Sequence, residues 1–432
     1  SEDGKPIPRK LIMQTTIHRP KLQIGKHSVD IFPYWMGLLV AGLLFGLVGA
    51  FTVLRDGLQV TGLSNRVPWG LWISIDLSSI AMGGSAFVFG VIVYLLRLKR
   101  FETIGKLAVL LGFLGYSTAG MVLLFDLGQP LRFWHPVVFW QPHSLLWEVT
   151  MCVVLYLTVL VAEMAPIVVE HPFFADHPLY KKFPIIKKAA SAAKTIAHWL
   201  HKAGPALAII GLTLSLLHQA SLGATYSVIS GRGVWFNQSA PVQFVLSAMS
   251  GGTALLFFLG VIVFRVMRPG TVEDSALYDV ARLSGGVTLL LTYLRLWDWA
   301  VTNYYSFDRN ISLQTEALNA VAPYSLSFWI GQALLPIIAG SVLLAAKSIR
   351  NFRYLMAFAV IPIFAAILMR WNYNFSGLIA TPTYAPFTPT IIVNSYAPTW
   401  VEFSVAALVI SYWLLMFSLA IRYLPFKAEN ER

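Results

Sequence analysis

The chain has 432 residues, of which 57% are hydrophobic and only 12% charged. A soluble domain of this length would carry roughly a quarter of its residues as charges, so soluble fold classes are excluded. The net charge of +12 then reads as loop Lys and Arg on one side of a membrane, with no nucleic-acid partner. The single cysteine, Cys152, cannot build a disulfide, a cysteine-ligated iron–sulfur cluster or a structural zinc site.

Residues 1–32 form a polar, basic arm without the apolar core of a cleavable signal. Apolar stretches long enough to cross a bilayer follow at about 33–54, 68–97, 105–126, 143–169, 205–228, 240–266, 279–304, 323–346, 354–373 and 399–424. The expected fold is an all-α membrane protein of about ten transmembrane helices, occupying residues 33–426. The second stretch is too long for a perpendicular crossing, which predicts tilt or projection from the membrane. In the connection 170–204, Ile185, Ala189, Ala193, Ile196 and Leu200 recur at helical spacing, with Lys187, Lys188 and Lys194 elsewhere on the wheel. That pattern predicts an interfacial helix on anionic membrane lipids. Pro336 and Pro362 are expected to interrupt their helices. The connection 374–398 holds Pro382, Pro386 and Pro389 and no Lys or Arg; its length implies ordering by packing or by a partner. No internal repeat stands out.

The connections alternate in charge. Basic ones are the N-terminal arm (Lys5, Arg9, Lys10, Arg19, Lys21, Lys26), Arg97–Lys99–Arg100, Lys181 to Lys202, Arg265 with Arg268, Lys347–Arg350–Arg353, and Arg422 with Lys427. Between them, 55–67, 127–142, 229–239, 305–322 and 374–398 lack Lys. The positive-inside rule then places both termini in the cytoplasm.

Ionisable groups inside a bilayer are costly and mark function or packed ion pairs. Asp76 lies about two turns beyond the Lys-poor entry Val67-Pro68-Trp69-Gly70. Asp126 ends the third helix, Glu148 opens the fourth, and His218 sits in the fifth between Ser215 and Ser221. Arg295 and Asp298 share the seventh helix at i, i+3 spacing, Arg370 is near the end of the ninth, and Glu402 begins the tenth. Arg295–Asp298 reads as a structural ion pair. Asp126 and Glu402 divide evenly between solvated and functional carboxylates, whereas Asp76 and His218 are too deep for an easy structural account. Carboxylates, an imidazole and a guanidinium at similar depth, with Trp and Tyr around them, suit a quinone head group. Only His218 is clearly inside a span, and a b-type haem needs paired axial His, so neither haem nor a metal site is expected. Glu163 stands apart near the basic end of the fourth helix. With Tyr156, Thr213, Thr288, Ser250 and Thr253 it supplies candidate steps for a proton path, although intramembrane Ser and Thr are more often satisfied by their own helix.

The stretches Val67-Pro68-Trp69-Gly70-Leu71-Trp72-Ile73-Ser74-Ile75-Asp76, Gly115-Tyr116-Ser117 with Phe125-Asp126, and Trp147-Glu148 followed by Ala162-Glu163-Met164-Ala165-Pro166 resemble the NrfD/polysulfide-reductase membrane subunits. So do Leu217-His218-Gln219-Ala220-Ser221-Leu222-Gly223, Arg370-Trp371 and Pro398-Thr399-Trp400-Val401-Glu402. The resemblance is to the ten-helix form of that family, found in hydrogenase and menaquinone reductase complexes. It implies two four-helix bundles with flanking helices and a subunit of the bacterial inner membrane without haem or iron–sulfur cluster. It further implies menaquinone bound near the periplasmic face, and electrons from a periplasmic four-cluster iron–sulfur subunit, fed by multihaem cytochrome c, molybdopterin-family or hydrogenase subunits. Carried onto this chain, the quinone site comprises Asp76, Asp126, Glu148, His218, Arg370, Trp69 and Glu402, with His218 and Asp76 exchanging protons. A secondary transporter or proton channel, or a purely anchoring subunit, are the competing classes.

Overall fold

The computed structural model describes residues 21–24, 27–169, 171, 183–305, 309–321, 324–383 and 390–426. Expectations resting on Lys5, Arg9, Lys10, Arg19, Lys26, Lys181, Pro386, Pro389 and Lys427 lie outside those residues.

Nine helices among the described residues are long and apolar enough to cross a membrane. The tenth expected span, Asp274–Ala300, is 27 residues long but is diluted by Arg282, Arg295 and Asp298. In chain order the helices are α1 (Phe32–Asp56), α2 (Leu71–Met82), α3 (Ser85–Gly90), α4 (Glu102–Asp126), α5 (Leu145–Val169), α6 (Pro184–Lys202), α7 (Gly204–Ser227), α8 (Ala240–Val261), α9 (Asp274–Ala300), α10 (Arg309–Ala320), α11 (Leu335–Leu344), α12 (Phe352–Ile379) and α13 (Trp400–Tyr423). Two antiparallel hairpins complete the structure: β1 (Lys21–Ile24) with β2 (His27–Asp30), and β3 (Ala380–Thr383) with β4 (Thr390–Val393). Helices α2/α3, α4, α5 and α7 pack as one four-helix bundle, and α8, α9, α11 and α12 as another, while α1 and α13 pair outside α4.

The overlong second span is resolved by a break. Helix α2 ends at Met82, Gly83 and Gly84 turn the chain, and α3 continues into a π turn, Val91–Leu95. The break needs glycine because backbones cross there: a Cβ on Gly84 would clash with Ala248 of α8, and one on Gly115 of α4 with the Ser79 carbonyl. Pro336 and Pro362 do not interrupt. Pro336 follows a π turn, Ser327–Leu334, at the start of α11, where its missing N–H costs little. Pro362 lies within an unbroken α12. That helix also runs to Ile379, so the connection expected at 374–398 begins as helix and continues as the β3–β4 hairpin.

The architecture reveals a repeat hidden in the sequence. Each bundle's first helix carries a matching run: Gly83-Gly84-Ser85-Ala86 then Gly90-Val91-Ile92-Val93, and Gly251-Gly252-Thr253-Ala254 then Gly260-Val261-Ile262-Val263. Both helices end in π turns. The two glycine pairs meet at the bundle interface, where a Cβ on Gly252 would lie 2.6 Å from Ser85 N. The match is short and broken by a two-residue offset, which hides it from a linear reading. The bundles run in the same direction, as in parallel-repeat membrane proteins.

The connections gather at two opposite ends. On the Lys-poor end, Gly62 N donates to Glu402, the Thr399 hydroxyl to the Val60 carbonyl, and the Gln314 amide to the Ala380 carbonyl. On the basic end, Arg100 and Lys347 both bind Asp279, at 3.0 and 2.6 Å. The predicted helix at 183–204 is α6. Ala190 and Ala197 are buried against the bundle, whereas Ile185, Ile196 and Trp199 are exposed.

Helix α1 exposes Leu38, Leu44, Phe45, Leu47 and Phe51 to the surrounding lipid. Its inner face is the stripe Gly42, Gly46, Gly49, seated on Ser411, Leu408 and Ser404 of α13. Without a hydrophobic drive between helices in lipid, such close backbone approach is what holds a flanking pair. Gly46→Ile places a branched side chain against the Leu408 backbone and is expected to cost about 1–3 kcal/mol, read as a lowered unfolding midpoint in detergent. Gly37→Ala, with open space around it, should not lower the midpoint.

Candidate functional site

Arg370, midway along the site-facing stretch of α12, is fully buried. Its Nε donates to the Ser247 hydroxyl (3.1 Å), Nη1 to the Leu77 carbonyl (3.0 Å), and Nη2 to Gln219 Oε1 (2.6 Å) and the Phe244 carbonyl (2.8 Å). The guanidinium also lies 4.7 Å from the Phe244 ring centre. Gln219 is itself fixed, donating to the Ile80 carbonyl at 3.2 Å. One cation thus ties α2, α7, α8 and α12 together across the interface of the bundles. With most of its donors committed to the protein, Arg370 acts first as the frame of the site, and direct contact with a ligand is left to one remaining Nη1 hydrogen.

Around this frame sit polar atoms without partners. Asp76 of α2 is 3% exposed and its Oδ1 makes no hydrogen bond. It lies within electrostatic reach of Arg370 on one side and Asp126 on the other. His218 of α7 is wholly buried, and neither ring nitrogen makes a hydrogen bond of good geometry, although the Val149 carbonyl is close to the ring. The ring stands 5.4 Å from that of Tyr116. Buried polar groups are normally paired, and the orphaned acid and imidazole flank the same arginine. Glu148 accepts from the Ser221 hydroxyl at 2.7 Å, one turn along α7 from His218. Trp69 closes the Lys-poor side, stacked at 5.7 Å on Trp235 and edge-on to Tyr226.

Two expected members take other places. Glu402 is the third residue of a capping box on α13: its Oε2 accepts from Gly62 N (2.6 Å) and Thr399 N (3.0 Å), and its Oε1 from the Tyr396 hydroxyl. These contacts give Glu402 a structural reason for burial. Burial and the bond to Glu402 hold the Tyr396 phenol well above its ordinary pKa range, so it stays a donor. Asp126 is nearly buried at the end of α4, with Oδ1 unpaired and Glu402 within electrostatic reach. It links the Glu402 clamp to Asp76.

The candidate proton-path residues separate. Glu163 lines a cavity of about 200 Å³ at the basic end, with Lys99, Glu102, Lys106 and His201. Two helical turns along α5, Tyr156 meets Tyr116 edge to face at 4.6 Å, and the Tyr116 hydroxyl is 3.4 Å from the Ser215 hydroxyl. Glu163, Tyr156 and Tyr116 thus lie in order toward His218. Thr213 is not in that line: it is exposed on the outside of α7 and bonds the Ile209 carbonyl. Ser250 and Thr288 share a 2.8 Å bond in the second bundle, and Thr253 bonds the Met249 carbonyl.

Comparison with known proteins places the chain. The model of the family "Polysulphide reductase, NrfD" matches residues 59–380. The chain belongs to the NrfD family. It is 30% identical to the menaquinone reductase integral membrane subunit of Nitratidesulfovibrio vulgaris, over 94% of each chain. It is 26% identical to a selenate reductase subunit of Mesobacillus selenatarsenatis, over 90% of this chain and 93% of that one. It is 24% identical to the probable Ni/Fe-hydrogenase 2 b-type cytochrome subunit of Escherichia coli, over 98% and 95%. The protein is therefore a multi-pass membrane member of this family, with the two-bundle architecture that the resemblance implied.

A linear reading of the NrfD motifs passes over Gln219 and Tyr116, although both stand inside the quoted stretches. Neutral groups carry no burial penalty large enough to draw attention in a sequence. For Gln219 the available signal is its place next to His218 in the chain. The Arg370 frame makes a stability prediction. Arg370→Met leaves the Gln219 oxygen without its donor and takes one bond from each of the Leu77 and Phe244 carbonyls, and should cost about 1–3 kcal/mol. Arg370→Lys should not restore it, because a point ammonium cannot span four acceptors. Thermal unfolding in detergent reads both.

Proposed function

We propose that this chain is the quinone-binding membrane subunit of a respiratory oxidoreductase complex of the bacterial inner membrane, passing electrons from an iron–sulfur subunit on the Lys-poor face to menaquinone. The observation that carries the reading is the pair of orphaned buried groups, Asp76 Oδ1 and the His218 ring nitrogens, on either side of the Arg370 frame. Family membership and relatives named as subunits of menaquinone and selenate reductases support it.

The donor set fits a quinone head group, whose two oxygens accept hydrogen bonds when oxidised and take up protons on reduction. Asp76 and His218 can each give or accept a proton according to protonation state. Trp69, Tyr226 and Trp235 supply an aromatic wall, and Glu148 with Ser221 holds the polar side of α7. Electrons enter from a periplasmic four-cluster iron–sulfur subunit, supplied in turn by multihaem cytochrome c, molybdopterin-family or hydrogenase subunits. Protons enter from the cytoplasm through the Glu163 cavity and pass by Tyr156 and Tyr116 toward His218, which makes turnover electrogenic. The basic arm 1–32 and the connection 170–204 lie on the cytoplasmic side, with both termini inside.

Three measurements test this reading. In the purified complex, His218→Ala or Asp76→Asn should lower quinone turnover by about 10²-fold or more, the scale of a lost proton-exchange group, with the unfolding midpoint kept. Unchanged turnover would mean a purely anchoring subunit. In liposomes, Glu163→Gln should abolish charge movement per quinone reduced; retained turnover with full charge movement sinks the cytoplasmic route. For orientation, cysteines introduced at Lys347 and at Asn394 in a Cys152→Ser background should react with an impermeant maleimide only from the cytoplasmic and only from the periplasmic side, respectively.

A further inference from the structure

The second bundle contains a cavity of about 430 Å³ that none of the quinone-site residues proposed above lines. It lies at the Lys-poor end, between the ends of α9 and α12, the helix α10 and the π turn Ser327–Leu334. Its floor is Arg295 and Asp298, 3.6 Å apart. Arg295 is steadied by Gln243 (2.9 Å) and Gln332 (3.0 Å), while its Nε is buried without a partner. Asp298 Oδ1 accepts from Asn237 (2.7 Å) and Ser239 (3.1 Å). The walls are aromatic: Arg295 sits 5.4 Å from the Phe328 ring centre and 5.3 Å from that of Tyr373, and Trp299 meets Trp329 edge to face at 4.8 Å. Trp299, Val301 and Trp329 on its rim are each about two-fifths exposed, at 39%, 39% and 43%, and Ile330 beside them is exposed as well, so the mouth faces the lipid boundary.

The internal repeat gives this cavity a counterpart. Asp298 falls near the end of the second helix of its bundle, as Asp126 falls at the end of the second helix of the first. The chemistry of the floor narrows the ligand. An ion pair has no net charge, which gives no pull on an anionic lipid head group or a cation. It offers instead a donor and an acceptor side by side. That suits an oxygen that is a carbonyl in one state of the ligand and a hydroxyl in the other. A flat ring between Phe328, Tyr373 and Trp299, with an apolar tail leaving at the Trp329 rim, completes the description.

We propose that this cavity is a second quinone-binding site, binding the head group of quinone or quinol at the Arg295–Asp298 pair. The ligand class rests on the functional reading above; the cavity and its floor do not. Occupancy involves no chemical step and holds a second molecule at the lipid boundary of the same subunit.

The test uses the purified complex in nanodiscs with a photoreactive azido-naphthoquinone, followed by peptide mapping. The expected result is label on residues 295–303 or 319–329 as well as on first-bundle peptides, both competed by excess unlabelled naphthoquinone. Asn319→Trp, which fills the cavity from the exposed side of α10, should lower the second-bundle label at least tenfold and leave the first-bundle label and quinone turnover unchanged. Competable label confined to the first bundle overturns this proposal alone. Second-bundle label that Asn319→Trp does not reduce also overturns it. Competable label in neither bundle overturns it together with the quinone reading.

Discussion

A guanidinium in the middle of a membrane protein must find its hydrogen-bond partners inside the protein, because lipid offers none and unpaired polar groups there are expensive. Arg370 meets that demand with the hydroxyl of Ser247, the amide of Gln219 and the carbonyls of Leu77 and Phe244. Two of those acceptors are main-chain groups, so the arginine fixes backbone, not only side chains. The constraint propagates. Helix α2 must present the Leu77 carbonyl, which orients Asp76 one residue earlier. Helix α7 must present Gln219, which orients His218 beside it. The two orphaned groups of the site are therefore held by neighbours of the residues that satisfy the arginine.

Close backbone approach is the second condition, and it is met by small residues. The turn at Gly83–Gly84 itself meets Ala248 of α8 and Gly115 of α4, and brings α3 against Gly252 of α8 and Gly112 of α4. Larger side chains would separate the bundles and stretch every bond to Arg370. The charge clamp at the Lys-poor end acts in the same sense. Glu402 joins the loop at Gly62, the start of α13 and Tyr396, and Tyr396 in turn accepts from Leu71 N at the first residue of α2. The entry of α2 is thereby pinned at one end by Glu402 and further along by Arg370.

Much of this was legible in the sequence. Helix count and approximate bounds follow from apolar runs, and the opposed basic and Lys-poor ends follow from loop composition. Asp76 and His218 could be singled out because depth makes their ionisation costly whatever the packing. What stayed hidden depends on which faces meet. Glu402 divides evenly between a solvated and a functional carboxylate until its capping partners are visible, since Gly62 lies 340 positions away. Thr213 and Tyr156 are equally plausible by residue type, and only packing turns one outward and the other toward Tyr116. The glycine repeat escaped because its two copies share few residues and differ in length.

The repeat also bears on why two similar bundles ended with different charges at similar depth. In the first bundle Asp76 Oδ1 and the His218 ring nitrogens lack hydrogen bonds of good geometry near a cation whose donors are largely spent elsewhere. In the second, Asp298 stands against Arg295 and takes two further hydrogen bonds. The proposed division of labour follows from this difference in pairing. An unpaired acid and imidazole suit proton exchange with a bound oxygen, whereas a neutral ion pair suits holding one. Two copies of one scaffold can thus offer a reactive site and a resting site for the same class of molecule, separated by the arginine that locks the bundles together.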